Sequence, residues 1–309
     1  MRKLALVGVN NSHPYLFAGY VNGGNRAKFV ANCPAWAHYL FPEHDWAGEY
    51  GKDWHFSTIW SRNVPFARRV QEAVLVDKLV DTIEEATDST EGAFVCDMWG
   101  DYHREQALPF LERGKPVFVD KPLSETVADA RAMIEAARNG GTSLSTCSAL
   151  RFDPALVELK AKMAAAGEKP SIVTVSGPCY QDLARYSVHS IEVMVEVTDS
   201  LPVAVLRNIS RGIRRHLLLL EFENGACGVI HSWENHTYSV AVTTDRDHRY
   251  AMQLGQRDST GIMMGRVLEA FAANRPLVTY ESALEVIRII EAGKQSAAAG
   301  GAETAVAGR

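Results

Sequence analysis

A strand–helix–strand rhythm that persists to about residue 147 limits this chain more than any other feature. Short apolar runs at Lys3–Val9, Phe56–Trp60, Ala93–Met98, Pro116–Asp120 and Ser143–Cys147 read as buried strands. Amphipathic stretches at Tyr102–Arg113 and Ser124–Arg138 separate the last three, stopped by Gly114 and by Asn139-Gly140. Strands joined through helical crossovers pair in parallel, and the resulting sheet needs helices on both faces. Ligands of such sheets bind at the carboxyl ends of the strands, so the residues just after each strand deserve the closest reading.

The rhythm changes near residue 170. Ser171–Val175, Val203–Ile209, Leu217–Phe222, Ala226–Ser232 and Tyr238–Thr243 are longer strand patterns joined by turns such as Glu223-Asn224-Gly225-Ala226. They predict a large, mostly antiparallel open sheet in an α+β unit, with helices at Gly261–Asn274 and Ser282–Ala299 covering one face. Apolar residues on both faces of 214–223 leave the other face for a second copy, so a homodimer or homotetramer built through this sheet is expected. The tail after Ala297 is frayed or a short edge strand.

Composition matters mainly for what it excludes. A net charge of −5 and a pI near 6.1 lack the basic excess of a nucleic-acid binder. Apolar runs such as Leu217–Leu220 fall far short of the ~20 residues of a membrane span, so no membrane partner is expected. Met1-Arg2-Lys3 followed by four apolar residues reads as a first strand instead of a signal peptide, since Gly8-Val9-Asn10-Asn11 interrupts it. Five scattered cysteines without a CxxC pair imply reduced thiols and a cytoplasmic protein.

Between the first two strands lie about 45 residues, roughly twice an ordinary crossover. They carry Trp36, His38, Tyr39, Phe41, Trp46, Tyr50 and Trp54. So many aromatics must pack on something, either as a surface insertion with its own small core or as a lid or oligomer contact.

The first strand runs into Gly8-Val9-Asn10-Asn11-Ser12-His13. A dinucleotide fingerprint GxGxxG would have glycine at 8, 10 and 13, and only Gly8 remains. Asn tolerates left-handed backbone, and the following helix N-terminus offers N–H groups, so Gly8, Asn10, Asn11, Ser12 and His13 are candidate cofactor ligands. After the second strand, Ser61-Arg62 stands where an NAD site has an acid for the ribose diol. A hydroxyl and a guanidinium suit a 2′-phosphate, which favours NADP over NAD. Met98 ends the Ala93–Met98 strand and Trp99 follows it, and both join the cofactor candidates.

The segment Gly114-Lys-Pro-Val-Phe-Val-Asp120-Lys121-Pro122-Leu-Ser, then an amphipathic helix, is the most specific motif. With His103 opening the preceding helix and Arg151-Phe152-Asp153-Pro154 downstream, it resembles the glucose–fructose oxidoreductase/inositol dehydrogenase (Gfo/Idh/MocA) family. The resemblance covers residues 1 to about 165 by motif and the remainder by architecture. It implies a Rossmann-like domain at 1–122, with an aromatic-rich insertion at about 25–55 and with helix 124–139 and strand 143–147 completing or bridging it. It implies an α+β substrate and oligomerisation domain at 123–309.

The implied activity is NAD(P)-dependent hydride transfer with a small sugar- or polyol-like substrate. Lys121 would face the nicotinamide and the reacting hydroxyl, with Asp120 near the nicotinamide ribose and His103 in the cofactor site. Independently of any family, a lysine just after a buried strand lies at the sheet's carboxyl edge, where desolvation lowers its pKa. The family's Asp-x-x-x-His element maps onto Arg185-Tyr186-Ser187-Val188-His189, with Arg185 in place of the acid. His189 and Tyr186 are the second catalytic candidates; Arg151, Arg185, Lys121 and His189 are the substrate candidates. Tyr186 and Glu192 flank His189 on one face if the segment is helical, whereas alternation at Ile191, Val193, Val195 and Val197 suggests a strand. No HExxH or His/Cys cluster occurs, so no metal is expected. The altered fingerprint, the missing ribose acid and Arg185 leave open an alternative: a family member without catalysis that senses a ligand or binds a partner.

Overall fold

Side chains buried on both faces define the first sheet in the computed structural model, which describes residues 1–34, 45–234, 237–255 and 259–306. Leu4, Ala5, Leu6 and Val7 of β1 (Arg2–Val7) have no exposed surface. The same continuous burial marks β4 (Gly92–Val95) and β5 (Val117–Val119). With β2 (Trp54–Trp60), β3 (Lys78–Leu79) and β6 (Leu144–Ser145) they form an all-parallel sheet of order β3-β2-β1-β4-β5-β6. The order reverses between β1 and β4, which opens a crevice at their carboxyl ends. The two-residue β3 is too short to register in sequence periodicity.

Helices α1 (His13–Asn22), α2 (Arg26–Asn32) and α3 (Trp46–Tyr50) lie between β1 and β2. The described aromatics of this insertion share their packing with neighbouring helices. Trp46 stacks on Tyr50 at 5.5 Å and meets Tyr20 of α1 edge-on. Tyr50 donates a 2.9 Å hydrogen bond to the Gly261 carbonyl, which opens a later helix. A Cβ at Gly261 or Gly265 of that helix would come within 2.6 Å of Trp46 or Tyr50, so both glycines provide room for the rings. Trp36, His38, Tyr39, Phe41 and His44 lie outside the described residues. Three further helices alternate with the strands of the first sheet: α4 (Val64–Ala73), α5 (Ile83–Ser89) and α6 (His103–Leu111). Helix α7 (Val127–Asn139) follows β5 and leads to β6.

The second sheet has the order β12-β11-β7-β10-β9-β8-β13. Its strands are β7 (Pro170–Pro178), β8 (Val203–Ser210), β9 (His216–Phe222), β10 (Cys227–Trp233), β11 (Ser239–Thr244), β12 (Arg249–Gln253) and β13 (Thr304–Ala305). It is antiparallel except where β7 and β10 run parallel. The tail thus supplies an edge strand, and β12, half polar at the opposite edge, carries too weak an alternation to be read from sequence.

Helix α8 (Pro154–Ala166) precedes β7. Helices α9 (Val188–Val197) and α11 (Tyr280–Ala298) cover one face of this sheet, and α10 (Ser259–Ala272) lies between β12 and α11 in sequence. Residues 188–197 are helical, correcting the strand suggested by their alternation. Ile191, Val193, Met194, Val195 and Val197 are all buried, and a segment buried all round carries no readable period. The chain forms two compact units: Met1–Asp120 with Arg131–Thr146 and Gly261–Leu277, and Lys121–Ala130 with Cys147–Thr260 and Val278–Arg309.

Candidate active site

The first unit carries the cofactor candidates on the carboxyl edge at β1 and β4. Gly8 has φ +72°, and a Cβ there would strike the Gln106 side-chain amide, so this turn requires glycine. Asn10, at the second glycine position, and its neighbour Asn11 stitch the loop to the end of β4. Asn10 donates to Asp97 Oδ1 at 2.7 Å and accepts the Met98 N–H at 2.7 Å. Asn11 donates to the Cys96 carbonyl at 2.6 Å and accepts the His13 N–H at 2.8 Å. The expected free N–H groups at the start of α1 are therefore fewer than the sequence suggests. His13's is used by Asn11, Pro14 has none, and Tyr15's reaches the Ser12 carbonyl. Ser12 makes no side-chain cap bond, and residues 10–13 remain half-buried and polar.

Asp97, which no sequence signal singled out, is the hub of this edge. Besides Asn10 it accepts the Trp99 N–H at 3.0 Å and Gln106 Nε2 at 3.0 Å. The sequence reading placed Asp97 inside a strand running to Met98, whereas β4 ends at Val95 and leaves Asp97 at the strand's carboxyl edge. His103, expected on the cofactor, is fully buried with Nε2 2.8 Å from the Asp97 carbonyl; it braces the turn from inside. Met98 is half-buried and Trp99 is exposed beside it. His13 Nδ1 lies 2.7 Å from Asp120 Oδ2, so the acid that ends β5 holds an imidazole contributed by the β1 loop.

Ser61, expected to meet a ribose phosphate, is buried. It donates to the Val9 carbonyl at 2.7 Å and accepts the Asn63 N–H at 3.0 Å, which makes it a strand-end brace. Arg62 remains half-exposed, pairs with Glu105 and lies over the Tyr102 ring at 4.6 Å.

The second unit carries the substrate candidates. Lys121 Nζ donates to the Arg185 carbonyl at 3.2 Å, in a π-helical turn at Leu183–Ser187. Asp182 caps that turn through the Arg185 N–H and pairs with the Arg185 guanidinium at 2.9 Å, so the cation that replaces the family's acid is itself neutralised. The turn runs directly into α9, where His189 has Tyr186 and Tyr238 edge-on at 5.7 and 5.9 Å. Gly177 of β7 makes room for Tyr238, whose ring would lie 2.7 Å from a Cβ. His189 Nδ1 is 2.7 Å from Ser148 Oγ, a partner absent from the sequence reading because Ser148 lies 41 residues away.

Arg151 and Glu192 are corrected. Arg151 is buried, with Nε on Glu192 and Nη1 on Glu196 at 2.7 Å and on Ser282 Oγ at 3.0 Å. This ion network holds α9 and leaves Arg151 no surface for a substrate; Glu192 faces it instead of His189. Burial pushes the Glu192 carboxyl up despite Arg151. Burial raises Glu196 too, but Arg151 and Lys160 outweigh it and hold that carboxyl below its ordinary value. Among the described residues no group of three or more His, Cys, Asp or Glu side chains is arranged to hold a metal. Nor is any helix long and apolar enough to cross a membrane.

A parallel sheet of Rossmann order with a polar loop at its switch point, followed by a large open sheet, defines a two-unit protein of Rossmann-type α/β and α+β architecture. The family model described as "Oxidoreductase family, NAD-binding Rossmann fold" matches residues 40–147. Over those residues, about a third of the chain, the sequence is similar to the Gfo/Idh/MocA oxidoreductases. The inositol 2-dehydrogenase of Paracoccus denitrificans is 34% identical over 87 residues, 28% of this chain and 26% of that protein. The 1,5-anhydro-D-fructose reductase of Ensifer adhaerens is 39% identical over 77 residues, 25% of this chain and 23% of that protein. The matched segment thus spans about a quarter of these relatives' length. The fold extends further. Myo-inositol dehydrogenase of Lactobacillus casei in complex with NAD(H) and myo-inositol superposes with a TM-score of 0.79 at 12% identity, covering 100% of this chain and 98% of that one. GenD2 from gentamicin A biosynthesis, in complex with NAD, has a TM-score of 0.79 at 16% identity, covering 99% and 97%.

Proposed function

We propose that this chain is an NAD(P)-dependent dehydrogenase or reductase that moves hydride between the nicotinamide and a carbinol or carbonyl carbon of a sugar- or polyol-like substrate. One observation carries the reading: Lys121, next after the β5 acid, is tethered to the turn that bears Tyr186 and leads into His189. The half-buried polar loop 10–13 beyond an obligatory Gly8 fits a dinucleotide, with residues 10–13 toward the pyrophosphate and Asp120 toward the nicotinamide ribose. The nicotinamide, when bound, accepts or supplies the hydride. Lys121 polarises the substrate oxygen, stabilises negative charge there and exchanges its proton, with His189 or Tyr186 assisting. The two relatives' names suggest inositols and anhydro-keto-sugars as the first substrates to try.

NADP(H) preference over NAD(H) belongs to this reading and rests on half-exposed Arg62; Glu105 beside it opposes a 2′-phosphate and keeps the preference small. A homo-oligomer through the open sheet and a reducing cytoplasmic setting are also part of it, supported by exposed Ile172, Ile209 and Leu219 and by five free thiols. A second reading, a ligand sensor without turnover, is favoured by the first-turn donors of α1 being spent within the loop.

Titration of the purified protein with NADH and NADPH, followed by assays on inositols and 1,5-anhydro-D-fructose, separates the two. Binding with turnover is expected. Cofactor binding with no turnover of any polyol, sugar or keto-sugar would put the sensor first, and no cofactor binding would end the enzyme reading.

A further inference from the structure

We infer that Asp97 is a positioning residue for the cofactor: it holds the Asn10 side chain against the end of β4, so that an asparagine can stand where the dinucleotide fingerprint needs a glycine. The inference rests on the dinucleotide-binding reading above and adds to it the residue that makes the altered loop workable. The second glycine of GxGxxG serves because no side chain stands between its backbone and a pyrophosphate. The backbone itself does not require glycine there, since no non-glycine residue of 9–13 has a positive φ. A substitute at position 10 has only to put its side chain elsewhere.

The bonds of Asn10 show where it goes. Its Nδ2 donates to Asp97 Oδ1 at 2.7 Å, and its Oδ1 accepts the Met98 N–H at 2.7 Å. A flipped amide would set oxygen against a carboxylate and NH2 against an N–H, so the two contacts together fix the orientation. Both partners follow directly on β4, and Asp97 is only 6% exposed. The Asn10 amide therefore lies down against the sheet edge and not out over the loop. Asn11 takes the same course, to the Cys96 carbonyl at 2.6 Å. His13, at the third glycine position, turns to another acid, with Nδ1 2.7 Å from Asp120 Oδ2.

Two further donors fix Asp97. Its Oδ1 also accepts the Trp99 N–H at 3.0 Å, and its Oδ2 accepts Gln106 Nε2 at 3.0 Å. Gln106 is buried, and its Oε1 has no hydrogen-bond partner among the described residues. That orphan oxygen decides what position 97 requires. An asparagine there can keep its oxygen on Asn10 and Trp99 and turn its NH2 to Gln106, whose amide flips to present Oε1. No hydrogen bond is lost in that exchange. One oxygen at the place of Oδ1 is the essential group, and an apolar residue of equal size lacks it.

Isothermal titration with NADH and with NADPH tests this as a double-mutant cycle. Asp97→Leu should weaken both cofactors about tenfold, the scale of one hydrogen bond, and by the same factor because they share the pyrophosphate. Asp97→Asn should recover most of that loss. In an Asn10→Gly background, where no side chain remains to be held, Asp97→Leu should cost less than about twofold. A tenfold loss in that background too would overturn the inference, because Asp97 would then act through Trp99 and Gln106 alone. Should Asp97→Leu fail to fold, Asn10→Leu carries the test: it leaves the other bonds of Asp97 in place and should weaken both cofactors about tenfold, and wild-type affinity in it overturns the inference. Amide hydrogen exchange without cofactor separates the inference from the reading beneath it. The Met98 N–H, held by Asn10, should exchange about tenfold faster in Asp97→Leu than in wild type. If wild type binds neither cofactor, the dinucleotide reading falls, and the exchange alone decides whether Asp97 holds Asn10: faster exchange supports that hold, and unchanged exchange overturns it.

Discussion

Lys121 is where the proposed chemistry is most exposed to test. Charge on the substrate oxygen is greatest in the transition state, so a group acting there affects turnover more than binding. Lys121→Ala should lower kcat by about 10²–10⁴, the scale of one acid–base group, and leave cofactor affinity nearly unchanged. Lys121→Arg should not restore the rate, since a guanidinium cannot release a proton near neutral pH. A Lys121→Ala enzyme with wild-type turnover would remove this lysine from the mechanism. Arg62 offers a separate test at the same scale. Arg62→Ala should weaken NADPH more than NADH, by ~1–3 kcal/mol for a lost charged hydrogen bond, whereas Glu105→Gln should strengthen NADPH by freeing the guanidinium. Equal losses for both cofactors on isothermal titration would show that Arg62 does not read the phosphate.

At the scale of elements, α9 depends on charges that its own sequence does not explain. Arg151 binds Glu192 and Glu196 on successive turns, and Lys160 of α8 holds Glu196 from the other side. For Glu196, burial raises the carboxyl pKa but Arg151 and Lys160 more than reverse it, giving a folded value below the ordinary 4.5. A depressed folded pKa means that the unfolded chain binds the proton more readily. Its contribution to stability is therefore complete above about pH 4.5 and is lost as pH falls through the folded value. The gap in Tm between wild type and Glu196→Gln should be widest near neutral pH and close below that point in acid thermal melts. Glu192, raised by burial, works in the opposite direction, and comparing the two proteins at each pH isolates the Glu196 contribution. A gap that stays constant into acid would show that Glu196 acts by packing alone. Arg151 looked like a substrate ligand in the sequence because an arginine beside a motif reads as recognition; its carboxylate partners, 41 and 45 residues away, were invisible until α8 and α9 were placed.

For the whole molecule, the open face of the second sheet makes the largest claim. Leu219, Val229, Thr174, Ala241 and Ala251 pair directly across five strands, a level strip of small and apolar side chains facing away from α9 and α11. A second copy would bury it, and if the proposed oligomer forms through this strip, Leu219→Arg should leave a 34.0 kDa species on light scattering. A wild-type chain already monomeric at micromolar concentration would contradict the proposal. What was legible in the sequence was local and periodic: strands buried on both faces, the helices between them, Gly8 at a turn that has no room for a Cβ, and Asp120-Lys121 at the end of β5. Each depends on a residue and its near neighbours, so one dimension suffices. Which polar groups remain for function could not be read that way. His103, Ser61 and Arg151 are spent on internal bonds, His13 is joined to Asp120 across 107 residues, and His189 is bonded to Ser148 across 41 residues. A buried polar atom must find a partner wherever packing supplies one, and only the folded chain determines which atoms lie within about 3 Å of each other.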